Sequence, residues 1–460
     1  MINTTDNTVN KRVALFVATL ASFLTSSITS AVNIALPSIG KEFSMSAVLL
    51  NWVATSYLLA SAMFLVPFGK IADIKGRKKI FSLGIIIYTI SSFLCAISKS
   101  AITLISFRIL HGIGGAMIFG TSVAILTSLF PLEERGKVLG INAAAVYFGL
   151  SIGPFLGGFL TLKFGWRSIF LANMFLGLIV VLFVFWKLKG EWAEAEGEKF
   201  DLIGSIIYCF SLATIMYGFS QIPSISGIWL LLVGIFLILL FITREIKVES
   251  PVLNINLFKD NKVFAFSNLA ALINYSATFA VTFLLSLYLQ YIKALNPQKA
   301  GIILVTQPVM MAIFSPIAGK LSDRVEPGKI ASTGMALTSI SLLLFIFLNE
   351  KTSMKFIVGN LIFLGLGLAL FSSPNTNAIM SSVERKFYGV SSATLGTMRL
   401  TGQMFSMGIA MLIFAIYIGK VQITSENYSL FLSGMKTAFL IFSLLCFIGI
   451  FLSLARGKIR

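Results

Sequence analysis

Gly69–Lys79 reads GKIADIKGRKK, and 250 residues later Gly319–Lys329 reads GKLSDRVEPGK. The same offset lays Glu134–Arg135 over Glu384–Arg385. Two matches at one spacing, each at the end of an apolar stretch, mark a chain built as two similar halves. Parallel halves related by an axis along the membrane normal, with a site at their interface, are a transporter architecture. In the first copy Gly69 and Gly76 permit a tight turn. Lys75, Arg77, Lys78 and Lys79 surround one carboxylate, Asp73, whose counterpart in the second copy is Asp323. Asp73 can pair with those cations or face the positive N-terminus of a helix from the other half, forming a breakable latch. The simpler alternative is a charged anchor that fixes topology.

Composition supplies the solvent for these halves. Hydrophobic residues make up 57% of the 460 and charged residues 12%, against about 45–50% and about 25% in ordinary soluble domains. A hydrocarbon slab of about 30 Å needs about 20 apolar residues per helix, and fourteen such stretches can be marked out. The expected fold class is an all-α polytopic membrane protein of two six-helix bundles plus two extra central helices. The expected division is 1–186 for the first bundle, 187–201 for a charged cytoplasmic linker and 202–243 for two additional spans. A polar cytoplasmic segment, 244–263, with room for a short amphipathic helix, and a second bundle, 264–460, complete it.

The net charge of +18 would suggest nucleic-acid binding in a soluble protein. Here 24 of the 36 Lys and Arg fall on the side of the Gly69–Lys79 turn when the spans are threaded in order. That asymmetry is the positive-inside rule, so the turn and both termini are expected in the cytoplasm of a multi-pass cell-membrane protein. No nucleic-acid partner is expected, because the charge is spread over many short loops rather than one face. The first apolar stretch is too long for a signal-peptide core and lacks a cleavage site, so it is expected to be retained. Cys95, Cys209 and Cys446, odd in number and far apart, read as packing residues. No phosphate-binding loop, zinc-ligand cluster or nucleophile–histidine–acid set occurs, so neither an enzyme nor a metal or cofactor is expected.

RILHGIGGAMIFG, Arg108–Gly120, carries the chain's one histidine inside an apolar run. An arginine at a span centre costs about 2.5–3.5 kcal/mol on insertion scales, so it should face the bundle interior or a water-filled cavity. Arg108 and His111, one turn apart, share a helix face. Arg399 and Gln403 form a similar pair in the second half. Asn33, Tyr57, Gln307 and Asn375, with Asn377 nearby, are candidates either for lining the route or for helix–helix hydrogen bonds. GLSIGPFLGG, Gly149–Gly158, spaces Gly149, Gly153 and Gly157 four apart, leaving a bare helix face that another helix can approach closely. Pro154 removes a backbone donor and bends that helix.

These segments together resemble the major facilitator superfamily, and specifically its fourteen-helix drug:proton antiporter branch. GKIADIKGRKK is similar to the signature between helices two and three, RILHGIGGA to that of helix four, and GLSIGPFLGG to the antiporter signature of helix five. VNIALP, NWVATSYLLA, GWRSIFLANMFLG and SSPNTNAIMSSVERKFYGVSSATLGTMRLTGQ also resemble that branch. The resemblance implies a secondary active transporter, exporting small amphipathic compounds by alternating access, with protons as a coupling ion and the protein acting as a monomer in the bilayer. It also implies that the helix-five face touches the other half, where it restricts leak.

Two departures shift the expectation. The acid that related exporters carry nine residues before the proline of NxALP is Ile28 here, and none of the eighteen acids lies deep inside a span. Lipophilic monovalent cations are therefore expected to be poorer ligands than neutral or anionic amphiphiles, which keeps an anionic or neutral metabolite open as the substrate. His111 stands where the family usually has Gln. It either replaces the amide's hydrogen bonds or, facing the cavity, titrates and makes transport pH-dependent. A non-transporting sensor or lipid-handling protein is the alternative of another class.

Overall fold

The structure, a computed structural model, describes residues 4–253, 255–322, 324–383, 388–419 and 421–457. Its first six helices are α1 (Thr4–Glu42), α2 (Ala47–Lys75), α3 (Arg77–Ala96), α4 (Ala101–Leu129), α5 (Leu132–Phe164) and α6 (Arg167–Lys187). Two more, α7 (Leu202–Gln221) and α8 (Ile225–Glu245), form a hairpin, followed by the short α9 (Asn256–Asp260). The rest are α10 (Lys262–Leu287), α11 (Pro297–Leu304), α12 (Thr306–Ser322), α13 (Pro327–Phe345), α14 (Met354–Ser381), α15 (Tyr388–Tyr417) and α16 (Tyr428–Ala455). A π-helical turn, Tyr288–Ile292, extends α10, and α11 with α12 make one broken span. Among the described residues, fourteen helical segments are long and apolar enough to cross a membrane.

Local chemistry sets the helix ends. Ser46, Asp201, Asn261, Asn296 and Ser353 each accept from a backbone N–H in the first turn of the helix they precede, satisfying a donor the helix itself cannot. Ser100 and Thr103 cap each other reciprocally at the start of α4. Gly76, at φ 111°, ends α2 and begins α3 in one residue, a backbone angle that favours glycine.

Helices α1–α6 form one bundle, held by packing of α1 on α5, α2 and α3 on α4, and α3 on α6. Helices α10–α16 repeat the plan, with α10 on α15 and α16, and α13 and α12 on α14. With lipid as the competing partner, apolar burial alone gives little drive, so such helices associate through close packing and hydrogen bonds. The two halves meet most tightly at the far face, the one opposite the Gly76 turn. Ala47 N–H donates to Val421 O at 2.9 Å, Ser286 Oγ to Asn33 O at 2.7 Å and Gln290 Nε2 to Ile34 O at 2.9 Å. The last turns of α10 are completely buried there, among them Phe283, Leu285 and Tyr288. The α7–α8 hairpin lies beside the bundles, with α7 against both α2 and α15, and α8 resting mainly on α7. Tyr208 Oη donates to Ala62 O at 3.1 Å, and Phe219 lies over Gly408.

Candidate transport site

Between the halves lies a cavity of about 100 Å³. Asn33 from α1, Pro154 from α5, Gln307 from α12 and Arg399 with Gln403 from α15 line it, so five of the sequence-derived residues meet there. Thr29, Ser30, Tyr147, Tyr275, Thr278 and Thr282, which carried no sequence signal stronger than polarity within a span, complete the polar part of the wall. No Asp or Glu is among the lining residues. Arg399 is half-buried with its guanidinium 5.4 Å from the Tyr275 ring centroid. Among the described residues no protein acceptor hydrogen-bonds to it. Tyr147 and Ser372 close the wall from opposite halves, their hydroxyls 2.7 Å apart.

The other membrane-embedded arginine is satisfied by protein. Arg108 is 1% exposed; its Nε donates to Val53 O at 3.0 Å and its Nη1 to His111 Nδ1 at 3.2 Å, and it stacks 4.5 Å from the Tyr57 ring centroid. His111 is fully buried against Tyr88, ring centroids 4.1 Å apart, with Asn173 Nδ2 3.5 Å from Nε2. A guanidinium only donates, so Nδ1 is the acceptor in the bond from Arg108. Arg108, His111 and Tyr57 therefore form a polar knot inside the first bundle, between α2, α3, α4 and α6. This corrects the expectation that they line the route: the shared face of Arg108 and His111 points at α2 and α3, away from the partner half. Asn375 is likewise a tie, donating from Nδ2 to Ser267 O at 3.1 Å and accepting from Arg456 Nη1 at 3.1 Å. Asn377 Nδ2 donates to Ser322 Oγ at 2.8 Å.

A consequence is that His111→Gln should transport with the same pH profile as the wild type, since an amide oxygen can take over the bond from Arg108. His111→Leu strands that donor, at a cost of about 1–3 kcal/mol for an unsatisfied buried group. Thermal midpoints of the two purified variants separate them, and a flattened flux–pH profile in His111→Gln vesicles would return the ring to the coupling role.

At the turn, Asp73 Oδ1 accepts from Arg77 Nε at 2.8 Å and pairs with Nη2 at 2.7 Å, so of the two roles open to it the pairing with local cations is the one formed. Arg77 is gripped further by Glu194, at 2.7 and 3.0 Å, and reaches Ser128 and Ala124 O. Glu194 belongs to the segment 188–201, which crosses under the turn as a strap. Arg77 N–H donates to Trp192 O at 2.8 Å and Ala195 N–H to Asp73 O at 3.0 Å. Glu191 accepts from Lys78 and Lys79 N–H, an anion seated at the start of α3, and Glu198 meets Lys70 Nζ at 2.6 Å. A Cβ on Gly76 would collide with the Glu191 carboxyl at 2.5 Å, and Gly69 has open space around it. Asp323 lies outside the described residues. Since the Asp73 side chain is 38% exposed, solvent screening limits its pair to about 0.5–1 kcal/mol. Asp73→Asn is expected to slow flux two- to fivefold at unchanged expression and orientation, and undiminished flux would remove Asp73 from the gate.

Helix α5 divides its faces differently from what the resemblance implied. A Cβ on Gly149 would meet Phe23 O at 2.7 Å, and one on Gly157 would meet Ala31 Cα at 2.7 Å; Gly153 is packed on Ser30. The bare stripe thus holds α1 within the same bundle. Contact with the other half falls one residue on, about 100° around the helix: Pro154 O lies against Gly301, and Gly158 against Pro297 O.

An apolar shell, two covalently linked six-helix bundles and a polar cavity between them define a secondary membrane transporter. The sequence pattern of the Major Facilitator Superfamily matches residues 15–242 and 267–458, and the chain belongs to that superfamily. It is 31% identical over 445 residues to the riboflavin transporter RibZ of Clostridioides difficile (strain 630), covering 96% of this chain and 97% of that protein. It is 27% identical to the multidrug resistance protein Stp of Mycobacterium tuberculosis (strain ATCC 25618 / H37Rv), covering 88% and 76%, and 27% identical to the methylenomycin A resistance protein of Bacillus subtilis (strain 168), covering 91% of each. Its fold is similar to that of a bacterial homologue of the human lysosomal transporter Spinster in an inward-facing, unoccupied conformation, with a TM-score of 0.70, 16% identity and 97% of each chain covered.

Proposed function

We propose that this transporter carries a neutral or anionic aromatic amphiphile of the flavin kind across the cell membrane by alternating access. The observation that carries this reading is Arg399, which lines the cavity and has no acceptor among the described residues, flanked by the tyrosine rings and by the amides of Asn33, Gln307 and Gln403. A planar solute with a carbonyl edge offers acceptors to the guanidinium fork and a π-face to the rings. The substrate named for RibZ has that chemistry, and its protein spans nearly the full length of this one. The absence of acids from the lining argues against a quaternary cation. Ligand pockets run to about 300–1,000 Å³, so the cavity widens to admit such a solute as the halves rock.

In this reading the turn face is cytoplasmic, as are both termini, transport runs outward, and the protein works as a monomer with protons as its coupling ion. The skew of basic residues toward the turn supports the orientation. The test is binding of riboflavin and of tetraphenylphosphonium to purified protein, followed by flux of each in proteoliposomes. Tighter riboflavin binding with directional flux is the expected result. Tighter binding and flux of the cation would overturn the substrate class in favour of a cationic-drug exporter, the reading that the Stp name supports.

A further inference from the structure

The two chain crossings between the bundles come together at one place, beneath the α7–α8 hairpin. The strap from the turn ends at Asp201, which caps α7 by accepting from Gly204 N–H at 3.0 Å and holds Arg244 at the end of α8 through Nε at 3.0 Å and Nη2 at 2.7 Å. The next residue, Glu245, is 1% exposed. Its Oε2 accepts from Leu253 N–H at 2.8 Å, fastening the connector that leads to α9 and the second bundle. Its Oε1 is buried and has no hydrogen-bond partner among the described residues. That oxygen and Asp201 Oδ2 both crowd the same spot, where a Cβ on Gly204 would be: Glu245 Oε1 lies 2.8 Å from it.

Asp201, at the end of the strap, and Arg244, the residue before it on α8, are the charged groups that act on Glu245. Helices α2 and α15 contribute apolar side chains, such as Leu65 and Met404, to the cluster that receives Val252 and Leu253 of the connector. Two carboxylates and one guanidinium leave one negative charge in excess, and an orphan carboxylate oxygen away from water is costly. A single proton removes both defects. Burial pushes the Asp201 carboxyl up, but the hydrogen bonds from Arg244 and Gly204 N–H outweigh it and hold the group below the usual carboxylate range. The proton therefore goes to the other acid.

We propose that Glu245 and Asp201 form a proton-binding site in the extra helix pair, with the proton on Glu245 Oε1 donated to Asp201 Oδ2. With the proton bound, every oxygen of Glu245 is satisfied and the connector is fastened under the hairpin. With the proton gone, the Leu253 N–H bond itself favours the charged carboxylate, but two like charges oppose each other and push that carboxylate off Asp201 with the connector attached, so protonation sets how the second bundle is tied to the strap under the turn. The site is independent of which solute occupies the central cavity.

Infrared titration of the purified wild-type protein from mildly acidic to alkaline pH tests the site directly. The expected result is a protonated-carboxyl C=O band near neutral pH that disappears in Glu245→Gln. It should also disappear in Asp201→Asn, where Arg244 is freed to neutralise Glu245. Protection against hydrogen exchange at 246–253, corrected for the base-catalysed intrinsic rate, should fall with pH in the wild type and stay flat in Glu245→Gln, whose amide copies the protonated acid. A wild-type protein with no such band at acidic or neutral pH overturns the proposal, whether or not the variants fold. Equal pH-dependence of exchange in wild type and Glu245→Gln also overturns it.

Discussion

Arg399→Ala is expected to weaken binding of riboflavin by about 10- to 100-fold, the loss of about 1.5–3 kcal/mol carried by hydrogen bonds from a charged donor. Arg399 lines the cavity, and among the described residues no acceptor holds its guanidinium in place. Removal should therefore leave the fold intact, which circular dichroism and the thermal midpoint check. Arg399→Lys keeps the charge but loses the planar fork and the stacking on Tyr275, so an intermediate loss is expected. Fluorescence titration of the three proteins gives the comparison. An alanine variant binding as tightly as the wild type would move recognition to the amides and rings and sink the role given to the charge.

Gly301→Val is expected to cut flux by at least tenfold while sparing each bundle. Its Cβ would overlap the carbonyl of Pro154 across the far face. That oxygen belongs to a helix backbone and cannot rotate aside. Overpacking of this kind costs about 1–3 kcal/mol or more, and the cost falls only on the state in which the far face is closed. Spin labels at Lys163 and Lys299, both exposed on that face, should report longer separations in the variant. Unchanged distances with wild-type flux would mean the closure has slack that the packing does not reveal.

The spans were legible because a bilayer makes length and hydropathy almost sufficient: all fourteen apolar stretches appear as helices. Direction around a helix was harder. Arg108 and Arg399 look alike in sequence, each a lone cation in an apolar run. Only packing separates them, because Val53 O and the His111 ring supply acceptors to one and no described residue supplies them to the other. Similarly Gly153 and Pro154 are adjacent in sequence but serve α1 and the opposite half, a split of about 100° that spacing alone cannot assign to a partner. The segment Lys187–Asp201 read as a linker because its apolar period vanishes. Two of its acids, Glu194 and Glu198, instead pair with cations of the turn, Arg77 and Lys70, and Glu191 seats on the backbone N–H groups that begin α3, a complementarity present in the sequence but with no register to reveal it. Glu245 escaped notice because it sits just past an apolar stretch, where acids are ordinarily wet.

The α7–α8 hairpin makes the transporter lopsided. On one flank α7 is bonded to α2 and packed on α15 at once, through Tyr208 and Phe219, so lipid has no direct seam there between the bundles. On the other flank α5 faces α11 and α12 with no additional helix over the joint. Among the described residues, a solute dissolved in the membrane thus meets an uncovered joint between the bundles along α5. The covered flank, stitched to both bundles, is the bound edge of the pair, like the spine of a book.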